Sequence, residues 1–292
     1  MNRINGNFIP ANVTGGTAAG GTAAGGSGTS SAFESANRIG KAFESGKAFI
    51  PFITGGDPDM ETTGKLLHML CEAGADAIEI GIPFSDPIAE GPVIEAADER
   101  ALKAGCTVER LFELVARIRP TISIPILFMT YYNPVFVYGN GKFADACVKC
   151  GIDGIIVPDL PYEERSELLG PCASRGLELI SLIAPTSDER INEIAANSGG
   201  FLYCVSSLGV TGVRGALDDS ARRMVEQVRK TANIPCAVGF GVSTPEQARD
   251  IAAFADGVIV GSAIVKIIGE HGCDSIAPVK QYVKKMKEAI RT

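Results

Sequence analysis

Carboxylates and glycines are the residues of this chain whose types and spacing could do chemistry. Glu79 stands alone in the apolar run Ala77-Ile78-Glu79-Ile80-Gly81. Side chains alternate along a strand, so Ala77, Glu79 and Gly81 share one face while Ile78 and Ile80 share the other. A lone carboxyl in such a run is costly unless it is paired or used. Burial would raise its pKa and let it act as an acid near neutral pH; the plainer alternative is a structural bridge to a Lys or Arg. The stretch Pro83-Phe84-Ser85-Asp86-Pro87-Ile88-Ala89-Glu90-Gly91-Pro92 follows. Asp86, between Ser85 and Pro87, suits a turn hydrogen bond. Glu90, before Gly91-Pro92, can reach back to the mouth at the end of this strand. Two carboxylates converging on one substrate support acid and base catalysis without a metal.

A second signal lies in the C-terminal half. Gly209-Val210-Thr211-Gly212, Gly239-Phe240-Gly241 and Gly261-Ser262 each come at or just past the end of an apolar run. Glycine lets the backbone approach an anion closely, and free amides at a helix start bind phosphate. Read otherwise, these are ordinary turns. Such a site needs no net positive charge, which suits 27 Lys and Arg against 34 Asp and Glu. The resulting net charge of −7 argues against a nucleic-acid partner. A Schiff-base aldolase needs a Lys at a strand end. None of the apolar runs holds one, and Lys266 falls after Gly261-Ser262. A metal aldolase needs several His, and only His68 and His271 are present. Carboxylate-driven carbon–carbon or proton chemistry is what these residues leave. Phe52, Met129, Tyr131, Tyr203 and Phe240 sit in or just past the runs. They pack a core or, at a mouth, hold a flat apolar group beside the phosphate.

The eight cysteines are scattered, with Cys147 and Cys150 the one close pair. They read as reduced thiols packed like small apolar residues, which fits a cytoplasmic protein, and no metal is expected. No apolar run reaches the roughly 18 residues of a spanning helix, and no secretory signal is seen at the N-terminus. No membrane association is expected.

The elements that must position these residues are legible as eight short apolar runs: Ala48–Thr54, Ala77–Gly81, Ile124–Tyr131, Gly154–Val157, Leu177–Ile183, Phe201–Val205, Cys236–Gly239 and Gly257–Val260. Near-continuous apolar runs mark strands buried on both faces of a parallel sheet. Segments of helical periodicity lie between them, including Leu66, Leu67 and Leu70, then Leu111, Leu114, Val115 and Ile118. Thr244-Pro245-Glu246-Gln247 starts another, with Thr as cap and Pro in the first turn. This alternation predicts an α/β fold, a single (β/α)8 TIM barrel over residues 32–292, with the site at the C-terminal strand ends. A doubly wound open sheet is the competitor, but no GxGxxG follows the first strand. Residues 1–31 carry one charge, Arg3, and repeat Gly-Gly-Thr-Ala-Ala from Gly15 and from Gly20. They read as a low-complexity disordered tail. Phe33, Ile39 and Phe43 fit one face of an extra N-terminal helix.

Phe49-Ile50-Pro51-Phe52-Ile53-Thr54-Gly55-Gly56-Asp57-Pro58 and Glu79-Ile80-Gly81-Ile82-Pro83-Phe84-Ser85-Asp86-Pro87 strongly resemble the tryptophan synthase α subunit family. So do the three glycine stretches, the last running on to Ala263-Ile264-Val265-Lys266. The resemblance covers about residues 37–292. It implies retro-aldol cleavage of indole-3-glycerol phosphate into indole and glyceraldehyde 3-phosphate, a lyase step of tryptophan biosynthesis without cofactor. On this resemblance Glu79 protonates indole C3 and then takes the glycerol hydroxyl proton. Glu90 binds the indole N–H at a position where the family leads one to expect Asp, and Tyr203 lies near the catalytic glutamate. Phe52, Met129 and Tyr131 match the indole pocket. Thr211, Gly212, Phe240, Gly241, Gly261 and Ser262 match the phosphate site. Ser207 stands where some members have Arg. The resemblance further implies an α2β2 heterotetramer, with pyridoxal phosphate only in the β subunit and a docking surface that includes Asp86, Asp159 and Pro161. The alternatives are a stand-alone lyase releasing free indole and a weakly active subunit that mainly activates β. A generic phosphate-binding isomerase would need a His or Lys electrophile at a strand end.

Overall fold

A computed structural model describes residues 38–88, 90–205, 214–239 and 241–291. Its parallel strands close into one barrel in chain order: β1 Ala48–Thr54, β2 Ile78–Gly81, β3 Ile126–Met129, β4 Gly154–Ile156, β5 Glu178–Ile183, β6 Leu202–Val205, β7 Cys236–Gly239 and β8 Gly257–Val260. β1 pairs with β8 through Ala48↔Gly257 and with β2 through Phe52↔Glu79. The competing open sheet is thereby excluded. Helices follow the strands, and several start on a local signal. Asp59, Thr107 and Ser187 accept an amide in the first turn of their helices, and Thr244 with Gln247 forms a capping box.

Alternation sorts the strand residues into two cores. Outward residues such as Ile53, Ile78, Ile80, Ile126 and Phe128 pack against Leu66, Leu67, Leu70, Leu111 and Leu114 of the helices. Inward residues Ala48, Ile50, Ala77, Leu127, Ile156, Ile180, Tyr203, Ala237 and Ile259 fill the barrel axis. Residues 38–41 are helical. Ile39 and Ala42 join the axial cluster, and Phe43 packs on Phe201 with ring centroids 5.5 Å apart. The N-terminal end of the barrel is therefore stoppered, in line with the extra helix expected there. Phe33 and residues 1–31 lie outside the described residues.

One device recurs at that end. Asp76, Asp153 and Asp256 each lie just before a strand and bond back to the start of the preceding neighbour strand. Their amides donate to Phe49, Ile126 and Cys236 carbonyls, while their carboxylates accept the amides of the same three residues. Each carboxylate also meets a cation: Lys287 for Asp76, Arg38 and Arg119 for Asp153, Arg229 for Asp256. Asp153 is fully buried. Six of the cysteines, Cys147 and Cys150 included, are buried free thiols. No helix among the described residues is long and apolar enough to cross a membrane. Asp153→Ala strips Arg38 and Arg119 of a buried partner, and losses of about 3–5 kcal/mol are typical of such breaks; chemical denaturation should show a clear drop in midpoint.

Candidate active site

The opposite, C-terminal end of the barrel holds the polar groups that the fold leaves unused. Glu79 is fully buried, and neither of its carboxyl oxygens has a hydrogen-bond partner among the described residues. The alternative reading, a structural bridge to Lys or Arg, finds no such partner among the described residues. Phe52 of β1 and Leu127 of β3 flank it in register. Burial alone pushes its carboxyl up to about 8, so it is a neutral acid at pH 7. Tyr203, across the barrel on β6, is raised by burial and by the charge of Glu79.

Two glycines make this packing possible. A Cβ on Gly81 would lie 2.5 Å from Cζ of Phe52, and one on Gly239 would lie 2.6 Å from the Tyr203 hydroxyl. Any larger residue at either position would push these rings off the axis. Phe52 continues into an apolar patch with Val93, Ile94, Ala97, Met129 and Val265. This patch forms a wall at the strand ends on which a flat apolar group can lie.

The loop after β2 folds over this wall. Glu90 is half-buried just before the helix Pro92–Lys103, with Oε2 unpartnered among the described residues. Its carboxyl meets that of Asp98 on the helix, and burial together with this neighbour raises it. Tyr131 is buried beneath the loop: its hydroxyl accepts the Ile88 amide at 3.2 Å, and its ring packs on Phe84 at 5.4 Å. Asp86 is exposed and accepts the hydroxyl of its neighbour Ser85. Asp159 accepts the Tyr132 amide at 2.9 Å and so ties the loops after β3 and β4 together. Pro161 is exposed beyond it.

Gly261 precedes the helix Ser262–His271 and provides no side-chain cap, while Ser262 is exposed at its start. Amides of Ile264 and Val265 return to the Gly261 carbonyl. The amides of Ser262 and Ala263, ahead of them, face the mouth end of the helix, where its dipole favours an anion. Gly241 has a φ of 75°, a left-handed turn that suits glycine. Thr211, Gly212, Phe240 and Ser207 lie outside the described residues. Lys266 is exposed and pairs with Glu270 on its own helix at 3.8 Å. Two features were not read from the sequence. Asp98 is a buried carboxyl at the site, and Ile88, Phe136 and Val137 are apolar residues 80%, 63% and 77% exposed.

In the fold Glu79 keeps its proton to about pH 8, against an ordinary value of 4.5. As pH rises between these limits, the unfolded chain has released this proton and the folded one has not. Folding stability then falls by about 1.4 kcal/mol per pH unit from this group. Glu79→Gln removes the loss, so its melting temperature should exceed that of the unaltered chain near about pH 8.5 and match it near about pH 5.

Comparison with known proteins agrees with this geometry. Residues 40–291 match the family model described as tryptophan synthase alpha chain. The tryptophan synthase alpha chain of Lacticaseibacillus casei is 42% identical over 254 residues, covering 87% of this chain and 96% of the relative. That of Halalkalibacterium halodurans is 51% identical over 223 residues, covering 76% and 84%. The crystal structure of tryptophan synthase subunit alpha from Legionella pneumophila superposes with a TM-score of 0.79 at 39% identity, over 87% of this chain and 98% of that one. With its closed barrel, its buried axial carboxyl and this extent of likeness, the chain belongs to the tryptophan synthase alpha chain family.

Proposed function

We propose that this chain cleaves indole-3-glycerol phosphate to indole and glyceraldehyde 3-phosphate, as the α subunit of a cytoplasmic tryptophan synthase. The observation that carries this reading is the neutral Glu79 carboxyl in the barrel axis, unpartnered among the described residues. The indole ring lies against Phe52 and Met129, and the phosphate meets the amides at Gly261-Ser262 and Gly241, with Thr211, Gly212 and Phe240 completing that site. Glu79 donates its proton to indole C3. The positive charge developing on the ring nitrogen falls on Glu90, which accepts the N–H. Glu79, now a carboxylate, takes the proton of the glycerol hydroxyl as the carbon–carbon bond breaks. The electrons of that bond return to the indole ring, and the new carbonyl leaves as the aldehyde. Glu79 ends protonated, so the cycle closes without a cofactor. Tyr203 packs beside Glu79 and keeps water from it.

The exposed apolar residues Ile88, Phe136 and Val137, with Asp86, Asp159 and Pro161, suit a docking rim for a β subunit that carries the pyridoxal phosphate. Such a surface buries apolar area at its core and leaves polar groups at its edge. Docking there would close the loop after β2 over the mouth.

The direct test gives purified chain indole-3-glycerol phosphate with and without β subunit. Indole should appear, and faster with β; a rate that β leaves unchanged would favour a stand-alone lyase. Glu79→Gln should cut kcat by at least about 100-fold, the usual scale of acid–base catalysis, while substrate binding persists. A variant retaining most of its activity would overturn the mechanism. Phe136→Asp combined with Val137→Asp should abolish the stimulation by β and spare the basal rate.

A further inference from the structure

We propose that Asp98 is a positioning residue for Glu90: the two carboxyl groups share one proton, and Asp98 thereby aims a Glu90 carboxylate at the substrate N–H. The proposal rests on the functional reading above. Asp98 is 4% exposed and lies on the inner face of the helix Pro92–Lys103, with Ala97 and Ala101. Its carboxylate accepts the Phe84 amide at 3.4 Å, so the same side chain holds the loop that carries Glu90. Beside it lies the Thr54 hydroxyl, fully buried at the end of β1.

The surroundings give this pair no reason to ionise fully. Arg100, on the same helix, turns both of its bonding nitrogens to Asp57 at 2.8 Å. Asp57 from the loop after β1 and Glu95 from the helix add like charge toward Asp98 and Glu90 respectively. The Cys106 thiol, pushed up to about 12 mainly by burial, stays protonated beside Asp98. Two desolvated carboxyls in contact therefore retain a proton that separate ones would lose, and burial raises both. A substrate N–H donating to Glu90 favours its charged form and leaves the proton on Asp98. Asp98 then acts as a neutral donor that fixes the rotamer of the longer Glu side chain.

The experiment measures binding of an indole-3-alkyl phosphate lacking the glycerol hydroxyl, which cannot be cleaved, across a pH series. With the unaltered chain, Kd should rise about tenfold on the alkaline side as the shared proton leaves, the worth of one charge-assisted hydrogen bond. Asp98→Asn keeps a donor in the same shape. It should bind within about threefold of the unaltered chain near neutral pH and lose the part of the alkaline rise that the shared proton causes. Glu79 titrates in both proteins and cancels from the comparison. Asp98→Ala should weaken binding about tenfold, but add nothing on top of Glu90→Gln. Superimposable pH curves for the Asn variant and the unaltered chain would overturn the proposal, even if Asp98→Ala fails to fold. Failure of the unaltered chain to bind this phosphate would overturn the functional reading itself.

Discussion

Holding a carboxyl inside a closed barrel with no hydrogen-bond partner among the described residues is the constraint around which the rest of this molecule is arranged. Glu79 needs neighbours small enough to leave it room and apolar enough to keep it neutral. Ala77 and Gly81 provide the first on either side of it in the chain, and Phe52 and Leu127 of the neighbouring strands, with Tyr203 across the axis, provide the second. Gly81 and Gly239 exist where the rings of Phe52 and Tyr203 need their space. An unsatisfied buried polar group costs about 1–3 kcal/mol, so the scaffold must be firm elsewhere. That firmness sits at the other end of the barrel, where Asp76, Asp153 and Asp256 clamp strand starts and are neutralised by cations.

The two ends thus differ in how they treat charge. At the base every one of these carboxylates has amides and a cation; at the mouth Glu79 has neither among the described residues, and Glu90 faces another carboxyl. The same residue types are structural in one place and reactive in the other because of solvation and partners alone. Anion binding at the mouth relies on backbone amides at Gly261-Ser262. An acidic chain with a net charge of −7 can therefore take a phosphate ester without a basic surface.

Much of this was legible beforehand. β1, β7 and β8 coincide with the apolar runs to the residue, because buried parallel strands leave no polar interruption. β3 is shorter than its run of 124–131: the ladder starts at Ile126, whose amide and carbonyl are both engaged by Asp153, and ends at Met129. The inward turn of Glu79 followed from alternation. Asp98 was hidden because its helix also carries Glu95, Glu99 and Arg100. Periodicity places it with Ala97 and Ala101, but which group it meets depends on how a proline-rich loop folds back. Phe136 and Val137 were hidden for the opposite reason, since apolar residues on a helix read as core until the packing leaves them exposed.

Closure of the barrel through Ala48↔Gly257 joins residues roughly two hundred positions apart. At synthesis rates of about 5–20 residues per second, β1 waits some tens of seconds for β8 to emerge. During that interval the Val258–Val260 side of β1 is a bare edge of Phe49, Ile50 and Pro51, and exposed apolar edges are where chains mis-pair. Pro51 offers no amide to a stray strand. The same closing pair that encloses Glu79 therefore makes the last strand decisive for when this chain becomes safe from aggregation.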